Sequence, residues 1–192
     1  GTMYNGYSED EVTEAGCGQL AITAFKEGIF GRGIVMDFPR LRGVDWLENG
    51  TPITSDWLEE WEVANNIKIG SGDIVLIRTG RWMRRATLGP WNLAADSAGL
   101  HASSVSWFKD REVALIGSDS ALDVKPSLVE GYDSPVHALF LVALGMPIFD
   151  NLDLEAVSEE AQRQGRAEFL FTTAPLRVNG GTGSPLNPIA TF

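Results

Sequence analysis

Histidine and cysteine are the residue types that this chain has least of. Its 192 residues include two histidines, His101 and His137, and one cysteine, Cys17. A single cysteine excludes a disulfide framework and any CxxC metal or redox site within the chain. Two histidines at these positions exclude an HExxH motif and a three-histidine metal site among these residues.

Long apolar runs and an excess of basic residues are also absent. No run of about 18 apolar residues occurs, which excludes a transmembrane helix. Residues 1–7 show neither the basic nor the apolar region of a secretory signal. We therefore expect a cytoplasmic protein with no membrane partner.

Lys and Arg number 15 against 26 Asp and Glu, which gives a net charge of −11. Because phosphate contacts need clustered Lys and Arg, we expect no nucleic-acid partner.

The composition is that of a folded domain. Apolar residues make up 44% of the chain and charged residues 21%, a balance that excludes intrinsic disorder. The length corresponds to about one domain of roughly 150 residues. Short β-branched runs alternate with segments of helical periodicity, and no Pro/Ser-rich linker separates them. The pattern predicts a single mixed α/β domain over residues 1–192.

Apolar periodicity and turn residues predict where the strands and helices lie. Buried strands are predicted at 33–38, 74–79 and 113–117, and further strands at 168–173, 176–178 and 189–192. Helices are predicted at 19–26, from Ser55 onward, at 102–110, at 135–144 and at 153–164. Ser134 followed by Pro135 is typical of a helix start, because serine caps the first turn and proline suits its first position.

Two glycine-rich segments could bind a ligand or simply form turns. Residues 16–21 follow the GxGxxA dinucleotide pattern, which binds a cofactor only when a strand precedes it. The preceding residues 9–14 are acidic, so we expect no dinucleotide site. Residues 180–185 lack the lysine of a phosphate-binding loop. A turn-rich connection is the simpler interpretation of this segment, and close approach of its backbone to a ligand is the alternative.

Three other polar features have structural interpretations. The segment Arg81-Trp82-Met83-Arg84-Arg85 is basic, and in so acidic a chain we interpret it as solvated surface or as ion-pair partners. His101 lies where a helix is predicted to begin and is interpreted as a surface or capping residue. Asp119 follows a predicted strand, where ligand sites of α/β proteins collect, but we interpret it as a turn-stabilising side chain.

His137 and Asp150 are the strongest candidates for chemistry. His137 lies one turn into the predicted helix, and Asp150 lies in a strand-like segment beyond it. A helix that runs back along a strand can bring two such side chains together. One imidazole and one carboxylate make half of a site for Mn²⁺, Zn²⁺ or Fe²⁺, whereas a catalytic metal usually takes three protein ligands. A histidine packed on a helix and an acid at a strand end are the structural alternative.

Four stretches of the chain form a combination that is more specific than any one of them. They are Gly31-Arg32-Gly33-Ile34-Val35-Met36-Asp37, then 72–80, then Pro135-Val136-His137 with Gly145-Met146 and Asn151-Leu152, and finally 169–190 with its glycine-rich loop. Together they resemble the cyclase family, the kynurenine formamidase-like group of metal-dependent hydrolases. The opening residues 3–7 also resemble a segment that follows the metal motif in one branch, so the resemblance spans essentially the whole chain.

The resemblance implies a swivelling β/β/α fold with a mixed central sheet, assembled as a homodimer or homotetramer. It implies hydrolysis of a small-molecule amide, N-formyl compound, cyclic amide or lactone by a metal-bound water, as in arylformamidases. Zn²⁺ or Mn²⁺ is the expected cofactor. The residues that match the family's ligand and substrate positions are His137 and Asp150 for the metal, and Tyr4, Thr182, Gly183 and Ser184 for the substrate.

The chain departs from the family at its hallmark segment. An HxGTHxD-type motif supplies most metal ligands and the proton-transfer histidine there, and residues 1–5 match it only in Gly1 and Thr2. We therefore expect that segment, with the catalytic histidine, upstream of Gly1, in a protein of which this chain is an incomplete part. Asp150 also stands where a glutamate is common. If the chain is complete, the alternative function is a non-catalytic binding or interaction protein on the same scaffold.

Large aromatic residues give a hint of self-association. The chain has six tryptophans: Trp46, Trp57, Trp61, Trp82, Trp91 and Trp107. Filling the core is the simpler interpretation, but aromatic residues are also enriched at the centres of interfaces. With the family's habit of assembling, this predicts a homo-oligomer.

Overall fold

A computed structural model describes all 192 residues of the chain. Its strands are β1 (Val12–Thr13), β2 (Gly16–Cys17), β3 (Ile29–Asp37), β4 (Pro52–Ile53), β5 (Ile74–Arg78), β6 (Gly99–Leu100), β7 (Leu115–Ser118), β8 (Ile148–Phe149), β9 (Glu168–Thr173) and β10 (Ile189–Thr191). Its helices are α1 (Phe38–Arg42), α2 (Ser55–Asn65), α3 (Arg81–Leu88), α4 (Val105–Asp110), α5 (Pro135–His137), which continues as a π-helix (Ala138–Leu144), and α6 (Glu155–Gln164).

Six of the strands form one mixed sheet in the order β10-β9-β3-β5-β7-β8. Strands β3, β5, β7 and β8 run parallel, whereas β9 is antiparallel to β3 and β10 is antiparallel to β9. The carboxyl ends of the parallel strands share one edge, which is where ligand sites of α/β sheets lie. This sheet and its flanking helices confirm the predicted α/β class with a mixed central sheet.

Both faces of the central strands are buried, which explains why they appear in the sequence as unbroken apolar runs. On β3, Ile34 and Met36 pack into a cluster of 21 buried residues with side chains of α1, α2 and α4. Val35 points to the opposite face and joins a second cluster, which includes Phe149, Phe169 and Phe171. Successive side chains of a strand alternate between faces, so each central strand supports both clusters.

Two predicted elements are wrong. Only Ile22–Phe25 of the predicted helix 19–26 is helical, as one 3-10 turn without a buried residue. The predicted strand 176–178 is a tight turn, because the N–H of Val178 donates to the carbonyl of Leu176 (2.9 Å) instead of to another strand. No residue of Ile22–Phe25 is buried, and Leu176 and Val178 remain 56% and 49% exposed, so neither segment packs into a core cluster.

Besides short elements such as α1, the sequence analysis missed helix α3. None of its residues is buried, so the segment shows no core-facing apolar stripe from which a helix could be recognised. No helix of the structure combines the length and the apolar character needed to cross a membrane.

Candidate metal and substrate site

His137 is held by a carboxylate that the sequence analysis did not single out. The side chain of Asp123 is 1% exposed, and it accepts the backbone N–H groups of Val136 (2.8 Å) and His137 (3.2 Å). It thereby caps the first turn of α5. The Oδ2 atom of Asp123 also lies 2.5 Å from Nδ1 of the His137 ring. One buried carboxylate thus fixes the backbone and the ring orientation of His137 together.

Ser134 is the N-cap residue of α5, as predicted, but the capping hydrogen bonds come from another side chain. The Ser134 side chain makes no capping hydrogen bond. Its hydroxyl accepts instead from the buried amine of Lys125 (2.8 Å), which also donates to the carboxylate of Asp133 (2.9 Å). Asp123, which lies 13 positions before Val136, takes the capping role, so the sequence beside Pro135 could not reveal it.

Asp150 follows β8 at the carboxyl edge of the sheet. The chain after it is tied to the segment following β7, since the N–H of Asn151 donates to the carbonyl of Ser120 (3.0 Å). The Oδ2 atom of Asp150 lies 3.0 Å from Nε2 of His137, and the two side chains are 31% and 29% exposed. The structure therefore brings the two predicted metal ligands together at one partly accessible point, while their role as ligands stays a prediction.

The two flanking carboxylates change the protonation of His137. The hydrogen bond to Asp123, followed by that to Asp150, raises the pKa of His137 to about 9, although burial opposes the shift. Without a metal, the ring is therefore protonated at neutral pH and donates from both nitrogens. A metal ion must displace the proton from Nε2 before that nitrogen can bind it.

The donor set fits part of a metal site. Nε2 of His137 and the carboxylate of Asp150 are donors that Zn²⁺ and Mn²⁺ accept. Asp123 supplies the carboxylate that a metal-binding histidine typically engages through its other nitrogen. No group of three or more His, Cys, Asp or Glu side chains in the chain is arranged to hold a metal ion. His137 and Asp150 thus fit as two ligands of a site that needs at least one more.

A cavity of about 1490 Å³ opens beside His137 and Asp150. We name it the apolar chamber, because its walls are mainly hydrophobic and include Phe25, Leu141, Val142, Phe149, Phe169, Phe171 and Phe192. The four residues predicted to contact substrate all line it as well: Tyr4, Thr182, Gly183 and Ser184. The structure therefore gathers all six predicted site residues around one cavity, and their functional assignments stay predictions.

The glycine-rich loop lines the chamber and also packs against the β1–β2 hairpin. The carbonyl of Gly180 accepts the N–H of Cys17 (2.8 Å), and a Cβ on Gly180 would lie 2.5 Å from the carbonyl oxygen of Ala15. Its glycine is therefore required by packing against the β1–β2 hairpin. Ser184 uses its hydroxyl inside the loop, where it accepts the N–H of Leu176 (2.9 Å).

Asp119 links two elements instead of stabilising its own turn, which corrects the sequence interpretation. Its buried carboxylate accepts the backbone and hydroxyl groups of Thr79 (both 2.8 Å) and the N–H groups of Gly80 (2.9 Å) and Arg81 (3.2 Å). Burial raises the pKa of Asp119 to about 6, against the effect of these hydrogen bonds. The residue joins the end of β7 to the start of α3.

His101 and the basic segment are structural, as interpreted. Nδ1 of His101 accepts the N–H of Ser103 (3.2 Å) and caps a 3-10 turn, so the capping interpretation is confirmed. In α3, the guanidinium of Arg81 stacks on Trp82 at 4.1 Å and that of Arg84 on Trp91 at 4.4 Å. Arg81 also donates to the backbone carbonyl of Asp119 (3.4 Å), so these arginines are held by stacking and by a backbone contact and not by ion pairs.

Asp123 is the residue that sequence reasoning missed. Its position, shortly after the carboxyl end of β7, matches the region where ligand sites of α/β sheets lie. That signal is shared with Asp119 and with the serines between them. Asp123 differs from these residues only because its loop folds back onto α5. That contact forms in the folded chain and leaves no local pattern in the sequence.

Comparisons with known proteins agree with this architecture. Residues 10–123 match a protein family described as "Putative cyclase". A solved structure described as a novel cyclase is 32% identical to this chain with a TM-score of 0.85, and the match covers 100% of this chain and 64% of that one. Isatin hydrolase A from Labrenzia aggregata, solved with benzyl benzoate, is 21% identical with a TM-score of 0.67, and the match covers 88% of this chain and 64% of that one.

A third similar structure is a predicted metal-dependent hydrolase from Bacillus stearothermophilus. It is 19% identical with a TM-score of 0.57, and the match covers 83% of this chain and 62% of that one. The chain thus spans a little under two thirds of the length of these three proteins. A comparison with curated protein sequences finds no match.

Proposed function

Since this chain belongs to the cyclase family, we propose that the protein to which it contributes is a metal-dependent hydrolase of a small carbonyl compound. The bond cleaved is that of an amide, an N-formyl group, a cyclic amide or a lactone, and arylformamidase-like cleavage is the finer form of the proposal. One observation carries it: Nε2 of His137 and Oδ2 of Asp150 lie 3.0 Å apart on the wall of the apolar chamber.

The family's solved structures support the proposal by their names. Two that resemble this chain are an isatin hydrolase and a predicted metal-dependent hydrolase. Because the chain spans less than two thirds of their length, the proposed activity is that of the whole protein. The cytoplasmic location expected from the sequence stays a prediction.

The residues of this chain have distinct tasks in such a reaction. When bound, a divalent ion such as Zn²⁺ or Mn²⁺ supplies a water of lowered pKa and polarises the substrate carbonyl. His137 and Asp150 would hold that ion. Asp123 accepts the hydrogen bond from Nδ1–H of His137, which would leave Nε2 as the nitrogen available to a metal ion. The apolar chamber binds the rest of the substrate and keeps bulk water from it.

Metal removal tests the proposal in the full-length protein. We expect hydrolysis of an N-formylanilide, a lactam or a lactone to stop after treatment with a chelator and to return with Zn²⁺ or Mn²⁺. The variant His137→Ala should lose metal content and hydrolysis together, because a catalytic metal site has few protein ligands and this change removes one of them. The matched control His101→Ala should keep both, since His101 caps a 3-10 turn outside the chamber.

Two results would contradict the proposal. One is hydrolysis that survives complete chelation, and the other is a His137→Ala protein with unchanged metal content. A protein that binds such compounds tightly but never hydrolyses them would favour the alternative, a non-catalytic binding protein on the same scaffold.

A further inference from the structure

The apolar chamber is large, and its charged lining residues are mostly acidic. We propose that it selects substrates whose part away from the scissile bond is bulky and either uncharged or cationic, and that it rejects substrates with an anionic group there. The inference rests on the proposed function, because it treats the chamber as the place where the substrate binds.

The size of the chamber sets the first requirement. Small-molecule pockets usually measure about 300–1,000 Å³, whereas the chamber measures about 1490 Å³. A single small ring would leave most of this space to water. Filling it calls for a substrate with a large group next to the reacting carbonyl.

The walls set the second requirement. Phe149, Phe169 and Phe171 line the chamber but belong to the second buried cluster and are only 8%, 4% and 1% exposed, so their rings add little accessible surface. On the π-helix, Leu141 and Val142 remain 44% and 45% exposed although they are apolar. Covering such surface with an apolar group removes it from water and stabilises the complex.

The charges around the chamber set the third requirement. The charged side chains that line it are the acidic residues Asp150, Asp153 and Glu160, together with His137, and neither lysine nor arginine lines it. Arg163 pairs with Glu160 but does not line the chamber. Arg166 stacks on Phe192 at 5.7 Å but does not line the chamber either. An anionic group on a bound ligand would lose its hydration, meet no lysine or arginine among the lining residues and face carboxylates of the same sign. A neutral group avoids these costs, and a cationic group is attracted by the carboxylates.

A matched pair of ligands isolates the effect of charge. Both are 4-acetamidobiphenyls, and the 4′ position carries either a neutral methyl sulfone or an anionic sulfonate of similar shape. Sulfonate is a weak metal ligand, so its charge reports on the chamber and not on the metal position. Their affinities for the full-length, metal-loaded protein are measured by displacement of the neutral dye Nile red, which fluoresces in apolar surroundings.

We expect the methyl sulfone to bind the wild-type protein roughly tenfold or more tightly than the sulfonate. A cation placed in the wall by Val142→Arg should shrink or reverse this ratio, and Leu141→Arg provides a second version should the first variant fail to fold. The matched control Val63→Arg, at an 82% exposed position of α2 that does not line the chamber, should leave the ratio unchanged.

Three outcomes overturn the inference: equal or tighter binding of the sulfonate by the wild type, the same change of ratio in Val63→Arg as in Val142→Arg, or no binding of Nile red because the protein's own chain fills the chamber. Failure of the proposed function is distinguishable from these. Hydrolysis that survives chelation overturns the proposed function and leaves the measured ratio standing, whereas a ratio of one beside metal-dependent hydrolysis overturns charge selection alone.

Discussion

At the scale of single residues, Asp123 connects the fold to the site. The same carboxylate caps α5 and orients the ring of His137. Any change in its position therefore reaches the candidate metal ligand directly. Because Asp123 does not itself line the chamber, we regard it as a positioning residue.

Replacing this carboxylate by its amide tests the positioning role. Asp123→Asn keeps the shape but removes the charge that aligns Nδ1–H of His137. Loss of such an outer partner typically lowers metal affinity about 10–100-fold, and we expect a decrease of that size in a Zn²⁺ titration with a competing chelator. The matched control Asp45→Asn alters an exposed aspartate and should leave the affinity unchanged. Equal Zn²⁺ affinities for Asp123→Asn and the wild type would show that Asp123 does not position His137 for metal binding.

The stability of the metal-free protein should depend on pH through His137. Its pKa is raised to about 9 in the folded state, against about 6.5 in an unfolded chain. The folded state therefore holds the proton more tightly, and the resulting stability is complete below pH 6.5 and lost as the pH rises toward 9. We expect the free energy of unfolding to fall by about 1–3 kcal/mol across this interval.

Denaturant unfolding in the presence of a chelator at several pH values measures this dependence. In His137→Gln the slope between pH 6.5 and 9 should be much shallower, because the titrating group is gone. Parallel profiles for the variant and the wild type would show that another group is responsible.

At the scale of elements, the carboxyl edge of the sheet is tied together by a buried arginine. Arg78 ends β5, and its side chain contacts Asp37 at the end of β3 (3.0 Å) and Glu155 at the start of α6 (2.6 Å). Asp37 and Arg78 are each 8% exposed. These ion pairs fix the strand ends and α6 on the side of the sheet where the chamber lies.

Breaking this cluster should be costly. Arg78→Met leaves Glu155 without its cation and leaves the buried Asp37 with only the half-exposed Arg40, and we expect the free energy of unfolding in urea to fall by up to about 3–5 kcal/mol. Arg40 contacts the same Asp37 from a side chain that is 43% exposed (3.4 Å). The matched variant Arg40→Met should therefore cost about 0–1 kcal/mol. Similar losses for the two variants would mean that burial does not control this cluster.

The elements also show what could be predicted from the sequence. The central strands were predictable because burial on both faces makes each of them an unbroken apolar run. Helix α3 was not, since it buries no residue and its arginines stack on tryptophans. In the site, the spacing and the family resemblance identified His137 and Asp150, whereas the capping role of Asp123 depends on a loop that folds back on α5.

At the scale of the whole molecule, the tryptophans divide into two groups. Trp61 and Trp107 are buried in the larger cluster. The remaining four are only partly buried: Trp46, Trp57, Trp82 and Trp91. Core packing thus accounts for two of the six and, in part, for Trp57, which packs against the same cluster. Arginines stack on Trp57, Trp82 and Trp91, so only the surface that these contacts leave open could be covered by a second copy of the chain.

Self-association therefore stays a prediction with a direct test. We expect light scattering at micromolar concentration to give the mass of a dimer or a tetramer. The partly buried tryptophans should become less accessible to a fluorescence quencher in that assembly than after dilution to the single chain. A single-chain mass at every concentration would contradict the prediction.

The central claim is that His137 and Asp150 bind the same divalent ion beside the apolar chamber. Anomalous diffraction from crystals of the full-length protein grown with Zn²⁺ or Mn²⁺ tests it most directly. The account predicts one strong peak about 2.0–2.2 Å from Nε2 of His137 and from a carboxylate oxygen of Asp150. A peak bound elsewhere, with Nε2 of His137 still hydrogen-bonded to Asp150, would contradict it.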